Sequence, residues 1–147
     1  MLDPEYEKAI REIIGYTTYL LGSGTDEFAY LGEEKDWRKN AKSFVTENRV
    51  VIVRNGKEGS YGFSAEEEAE APAFSVKVED TVGAGDVYNA GFISAVLAGK
   101  PLKECLIAGN AVSGYTVTKK GARSSPGTEE LRKFLEEHMR SKGEKKL

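Results

Sequence analysis

Residues 79–91 read EDTVGAGDVYNAG (Glu79–Gly91). Upstream, Phe74 to Val78 alternates apolar and polar residues as a half-buried strand does. Downstream, Ala84 to Ala98 carries Tyr88, Phe92, Ile93, Val96 and Leu97, a long apolar helix ended by Gly99-Lys100-Pro101. The run is therefore a predicted turn between a strand and a helix. Gly83-Ala84-Gly85 lets the backbone turn tightly and approach a ligand without side-chain obstruction. The first amides of a helix lack intrahelical partners and, with the helix dipole, make an anion site. Asp86 sets a carboxylate beside it. That pairing suits phosphoryl transfer to an alcohol: amides hold the phosphoryl oxygens, while the carboxylate orients the hydroxyl and receives its proton. Orienting the hydroxyl is the first part of that role, and the proton arrives as the leaving phosphate separates. The same residues also suit a turn that binds nothing. Gly-x-Gly turns open many helices, and a first-turn Asp compensates the dipole. The residues alone leave these two readings level.

Working outward, Asp3-Pro4 starts a helix with Tyr6, Ala9, Ile10, Ile13 and Ile14 at helical spacing, ended by Gly15. Tyr16 to Leu21 reads as a strand, and Gly22-Ser23-Gly24 as a turn. Thr25 is a candidate N-cap for a short helix with Phe28, Tyr30 and Leu31. Lys35 to Thr46 is a helix with Trp37, Ala41, Phe44 and Val45 on its apolar face. Arg49 to Arg54 (RVVIVR) is the strongest buried-strand signal, closed by Asn55-Gly56. Ser60 to Ser64 is a strand, and the acidic stretch from Glu66 to Glu70 a solvated loop. Leu102 to Val117 is a helix rich in small residues, with Cys105 on its apolar face. Lys119 to Pro126 is a loop, and Thr128 to Met139 an amphipathic helix carrying His138. Strands alternating with helices predict a layered α/β domain. The break in alternation between Ser60 and Val78 predicts a mixed, mainly parallel sheet.

At 147 residues, 39% hydrophobic and 31% charged, the chain is sized and composed as one globular domain. A net charge of −3 gives no basic excess for nucleic acid or an anionic membrane. The single cysteine rules out an internal disulfide and a Cys-cluster zinc site, and the single histidine a His-rich metal site. The start, MLDPEYEKAI, is acidic where a signal peptide needs positive charge, and no apolar run approaches a membrane span. The cytoplasm is the expected compartment.

The run DTVGAGDVYNAGF (Asp80–Phe92) closely resembles the signature of the PfkB/ribokinase family of carbohydrate kinases, with Asp80, Thr81, Gly83, Ala84, Gly85 and Asp86 at the family's spacing. Other segments agree in order. LDPEYEKAI resembles a worn Asp-Pro-Asn-x-Arg stretch, and YLLGSGTDEFAYLG the segment usually reading Leu-Pro-Asn-x-x-Glu. VVIVRNGKEG resembles the family's strand and Gly-x-x-Gly turn, and AGNAVSGYTVTKKGARSSP the helix and loop that close the nucleotide site. Within the family the chain looks nearest to 2-keto-3-deoxygluconate kinases and fructokinase-like sugar kinases. The resemblance implies a ribokinase-like three-layer αβα sandwich, here partial, and ATP-dependent phosphorylation of a sugar hydroxyl. It implies Asp86 as catalytic base and the Gly83, Ala84 and Gly85 amides as anion hole. Gly56, Gly59 and Asn110 match nucleotide contacts, and Ser23 and Arg54 stand where the family has a nucleotide-side Asn and Thr. Mg²⁺ falls to Asp26, or the adjacent Glu27, acting largely through water. A K⁺ site is implied at Asp80 and the Val82 carbonyl, with Thr116, Lys119, Gly121 and Ser125 as neighbours.

Three departures stand out. Ser23 and Asp26 replace the Asn and Glu of Asn-x-x-Glu, Arg54 replaces Thr, and Glu5 and Glu7 replace an Asn and an Arg. Family members also carry an N-terminal half with most sugar contacts. Residues 1–140 resemble the C-terminal, nucleotide-binding half, followed by a charged tail over 141–147. Transfer needs donor and acceptor held in line. Two functions are therefore expected in competition: a sugar kinase completed by a homo-oligomer or a complementary N-terminal chain, and a catalytically inactive nucleotide-binding module or remnant. An exposed strand edge and apolar helix faces are expected to be covered by that partner.

Overall fold

The structure, a computed structural model, describes residues 3–144, with side chains described as far as Arg140. Two compact units divide it. One is the chain up to Gly56 together with Ser60–Glu70; the other is Lys57–Gly59 and the chain from Ala71 onward.

The sheet runs in the order β1 (Tyr19–Ser23), β2 (Val50–Arg54), β3 (Ser60–Phe63) and β4 (Glu68–Ala71), all of it in the first unit except Ala71 at the end of β4. β1 and β2 are parallel, with Tyr19 opposite Val50 and Ser23 opposite Arg54. β2 and β3 are antiparallel, with Val51 opposite Phe63. The sheet is mixed, as the broken alternation predicts. Val51, Ile52 and Val53 are all fully buried, so β2 is covered on both faces, which is what its β-branched run requires.

Helix α1 (Pro4–Gly15) starts where Asp3 accepts the Glu5 and Tyr6 amides and Pro4 presets the backbone. Its Ile14 enters a core with Phe28, Leu31, Ala41, Phe44, Val51, Val53 and Phe63. The first strand lies further along than its sequence suggests. Gly22 and Ser23 continue β1, and Ser23, not Thr25, caps a single π-helical turn over Gly24–Phe28 by accepting the Asp26 amide. Tyr16 is a solvent-facing link instead of a strand residue. Helix α2 (Trp37–Ser43) is shorter than expected because Asp36 caps it at Arg38 and the chain turns at Phe44. Asn40, only 2% exposed, holds the connection into it: its amide donates to the Phe28 and Glu34 carbonyls, both at 2.9 Å, and its oxygen accepts the Glu34 amide at 3.1 Å.

The acidic stretch expected as a loop contributes β4. Its Glu-Ala-Glu-Ala alternation keeps the glutamates outside and Ala71 inside, and charge on an edge strand deters further pairing. The strand expected over Phe74 to Val78 does not form. Its apolar signal belongs to side-chain packing: Phe74 stacks edge-on against Phe134 at 5.3 Å.

The second unit pairs α3 (Ala84–Leu97) with α4 (Leu102–Thr116) and carries α5 (Thr128–Glu144). Tyr88 and Phe92 lie between α3 and α4 with parallel rings, and a Cβ on Gly109 would stand 2.7 Å from the Tyr88 ring, so the small residues of α4 permit the close approach. Cys105 is buried there as a small core residue. α5 runs past the expected Met139, and the end of the expected 141–147 tail lies outside the described residues. No helix among the described residues is long and apolar enough to cross a membrane.

Asn40→Ala removes the side-chain partner of one buried backbone group, the Phe28 carbonyl, and of two part-buried ones, the Glu34 amide and carbonyl. It is expected to lower the unfolding free energy by about 2–3 kcal/mol, measured by urea denaturation.

Candidate functional site

The residues singled out from the sequence fall in both units. In the second unit they assemble around Asp80. The Asp80 carboxylate accepts the Val82 amide on one oxygen and the Gly121 amide on the other, both at 2.9 Å. The Val117 carbonyl, just past the end of α4, accepts the Glu79 and Asp80 amides at 2.7 and 3.2 Å. The turn before α3 is thus fixed at both its entry and its middle. The Val82 and Gly121 amides on the carboxylate, together with the charge of Lys120, favour the ionised form and hold the Asp80 carboxyl below its ordinary value of 3.8.

From that anchored turn Gly83 takes φ +79°, the left-handed conformation that opens α3. A Cβ there would also stand 2.9 Å from the Ala122 side chain. No side chain caps α3. The Ala84 amide turns back to the Thr81 carbonyl at 3.2 Å, while the Gly83, Gly85 and Asp86 amides take no partner among the described residues. Asp86 sits exposed in the first turn of a 14-residue helix. Unpaired donors, a positive helix end and an adjacent carboxylate are the parts an anion site with an acid neighbour needs.

Among the described residues the Asp80 carboxylate makes no hydrogen bond to Thr116, Lys119 or Ser125. Thr116 is 1% exposed and donates its hydroxyl to the Val112 carbonyl. Lys119 is exposed, with its ammonium 5.6 Å from the Tyr115 ring. Ser125 is exposed in the loop after Gly121. Gly59 and Asn110 meet on one stretch of backbone: the Asn110 amide donates to the Ala71 and Pro72 carbonyls at 2.9 and 3.2 Å, and Gly59, at φ +104°, lies so close that a Cβ would overlap the Ala71 carbonyl. Val117 and Ala122 were not legible in the sequence, because one acts through its carbonyl and the other through its small size.

In the first unit, Ser23 and Arg54 stand opposite one another at the C-terminal ends of β1 and β2, the end at which open α/β sheets bind ligands. Glu27 folds back onto this end. One of its oxygens accepts the Ser23 amide at 2.6 Å and lies 3.6 Å from Arg54 Nη2. Asp26 is exposed and lies 3.3 Å from the Ser23 hydroxyl. Gly56, at φ +54°, follows Arg54 by two residues in open space. No group of three or more His, Cys, Asp or Glu side chains placed to hold a metal occurs among the described residues.

The profile of pfkB family carbohydrate kinases matches residues 1–129. The chain belongs to that family. It is 40% identical over 81 residues to an uncharacterized sugar kinase of Escherichia coli (strain K12), covering 55% of this chain and 25% of that one. It is 30% identical over 138 residues to a nucleoside kinase of Methanocaldococcus jannaschii, 92% of this chain and 45% of that one, whose crystal structure superposes with a TM-score of 0.77. A ribokinase-assigned Escherichia coli protein, solved with ATP and Mg²⁺, superposes with a TM-score of 0.84 at 25% identity, over 92% of this chain and 44% of that one. The fold is part of a ribokinase-like αβα domain, and the chain spans less than half the length of these relatives.

Gly83→Ala forces a left-handed alanine against Ala122 and is expected to cost about 1–2 kcal/mol or more in urea denaturation. Asp80 gives a pH signature. Its pKa is lowered on folding, so its contribution is complete above the ordinary Asp value and is lost as pH falls through the lowered one. Acid titration followed by NMR should show the Gly121 amide moving with Asp80 below the ordinary Asp range, and Asp80→Asn should abolish that movement.

Proposed function

We propose that this chain is the phosphoryl-transfer part of an ATP-dependent carbohydrate kinase. The observation carrying the reading is the uncapped N-terminus of α3, opened by Gly83 and bearing an exposed Asp86. Family membership supplies the reaction class. ATP supplies the phosphoryl group, and Mg²⁺ screens charge on its oxygens. The residues present fit both. The Gly83, Gly85 and Asp86 amides donate to the oxygens of the transferred group as negative charge develops on them, while the Ala84 amide, expected in the anion hole, is held by the Thr81 carbonyl. Asp86 orients the sugar hydroxyl and takes its proton as the new O–P bond forms and the bridging P–O bond of ATP breaks. Gly56 and Gly59 give the nucleotide backbone surface without side chains, and Asn110 secures the Ala71–Pro72 wall beside Gly59. Ser23 and Arg54 serve the phosphate side. Mg²⁺ is commonly held by phosphates, water and one or two carboxylates, a role open to Asp26 and Glu27. K⁺ is proposed only beside Asp80, Val82 and Gly121, which are the predicted neighbours that come together.

The sugar-binding parts are proposed to come from polypeptide that these residues do not span, whether further sequence of the same chain, a second copy or a complementary chain. β1 is an edge of the sheet. Beside it opens a groove of about 410 Å³ lined by Tyr6, Ile10, Ile13, Leu20, Phe28 and Tyr30, and Tyr6, Ile13 and Tyr30 are more than half exposed. Ser23 and Asp26, standing where the family pattern has the Asn and Glu of its Mg²⁺ motif, favour a second reading, a nucleotide-binding module without turnover of its own.

Calorimetric titration of ATP-Mg²⁺, then a coupled assay over a sugar panel, separates the readings. Turnover that falls at least about 100-fold in Asp86→Asn supports the kinase. Binding without turnover supports the module, and absence of binding overturns both. Light scattering behind size exclusion should show an oligomer; a clean monomer would sink the self-association reading.

A further inference from the structure

We infer that Arg54 and Glu27 form a charge pair that a polyphosphate opens, so that phosphate and divalent-cation binding are coupled at this strand end. The inference rests on the nucleotide reading above and assigns these two residues an exchange of partners.

Arg54 is the residue for which the family pattern offers no explanation. Its position is set by register, opposite Ser23 at the end of two parallel strands. Its side chain is three-quarters buried, and its Nε is buried without a hydrogen-bond partner among the described residues. The carboxylate facing it is Glu27, but 3.6 Å from Nη2 is attraction without a hydrogen bond. A guanidinium carries five N–H donors in a flat fork. An Nε–H left buried and unpaired is costly, and the group that best satisfies Nε and Nη together is a bidentate anionic oxygen pair, as in phosphate.

Glu27 is placed for the complementary half. Its Oε2 is fixed by the Ser23 amide, so the carboxylate stays at the strand end whether or not Arg54 attends it. Its side chain is half exposed, and Asp26 adjoins it. While Arg54 stands against it, the local charge is partly neutralised and a divalent cation is weakly attracted. When a phosphate draws the guanidinium away, Glu27 regains its full charge toward the cation that accompanies the phosphate. Each ligand then raises the affinity for the other, as linkage requires.

The test is calorimetry with the full chain and ATP, once in EDTA and once in Mg²⁺. In EDTA, Arg54→Gln should weaken ATP binding about ten-fold, the loss of a charge-assisted contact. Glu27→Gln keeps an acceptor for the Ser23 amide but frees Arg54, and should tighten metal-free ATP about two- to five-fold. The double variant should match Arg54→Gln, because the gain needs the guanidinium. With Mg²⁺, the improvement that the metal brings should shrink in Glu27→Gln. Arg54→Lys keeps the charge without the fork and should bind ATP more weakly than the wild type, which covers the case of a misfolded Arg54→Gln. Metal-free ATP affinity unchanged or lowered in Glu27→Gln, or unchanged in the Arg54 variants, overturns the exchange while leaving the nucleotide reading intact. A wild-type chain that binds no ATP overturns both.

Discussion

The carboxylate of Asp80 is the constraint on which the second unit's site depends. It ties the middle of the turn to the loop after α4 through two backbone amides, while the Val117 carbonyl ties the entry of the same turn. With those points fixed, Gly83 is left only a left-handed path into α3, and the path aims the uncapped amides and Asp86 outward. The arrangement is built from backbone groups and one anion, so it needs neither histidine nor cysteine. That agrees with a chain that has a single residue of each, neither of them near the turn in sequence.

The first unit solves a different problem. Two parallel strands end together, and the open ends of such strands present unpaired backbone groups. Glu27 covers the Ser23 amide, and Ser23 in turn caps the π-helical turn that carries Glu27. The two residues hold each other in place. Asn40 performs the same service one step later, satisfying three backbone groups of the connection into α2. Polar side chains, not the apolar core, therefore determine where this chain can bend.

The helix over Ala84 to Ala98 and the buried strand over Arg49 to Arg54 were legible because burial writes itself as long apolar runs. The turn over Gly83 to Asp86 was legible because glycine is tolerated in few other places so close to a helix start. Phe74 to Val78 misled, since alternation records which side chains are covered, not whether the backbone pairs, and Phe74 is covered by Phe134. Glu68–Ala71 misled in the opposite direction, because an edge strand can carry charge on its outer face. Asp80 was read from the family pattern as part of a cation site; its hydrogen bonds also make it the brace of the turn. Gly121 was named from that same pattern, but the Val117 carbonyl was not, because no pattern of side chains can announce a main-chain acceptor.

The order of the sheet also bears on how the molecule forms. β2 and β3 are joined by a short turn through Asn55–Gly59, so their pairing is local and forms early, on a scale of about 1–10 μs. β1 reaches β2 only after a long crossover has closed, and that closure is slower in entropy-limited terms. Ser23 meets Arg54 at this late contact. The phosphate side of the proposed nucleotide site therefore depends on this long-range contact, and a ligand bridging the two strand ends would clamp the seam between β1 and β2.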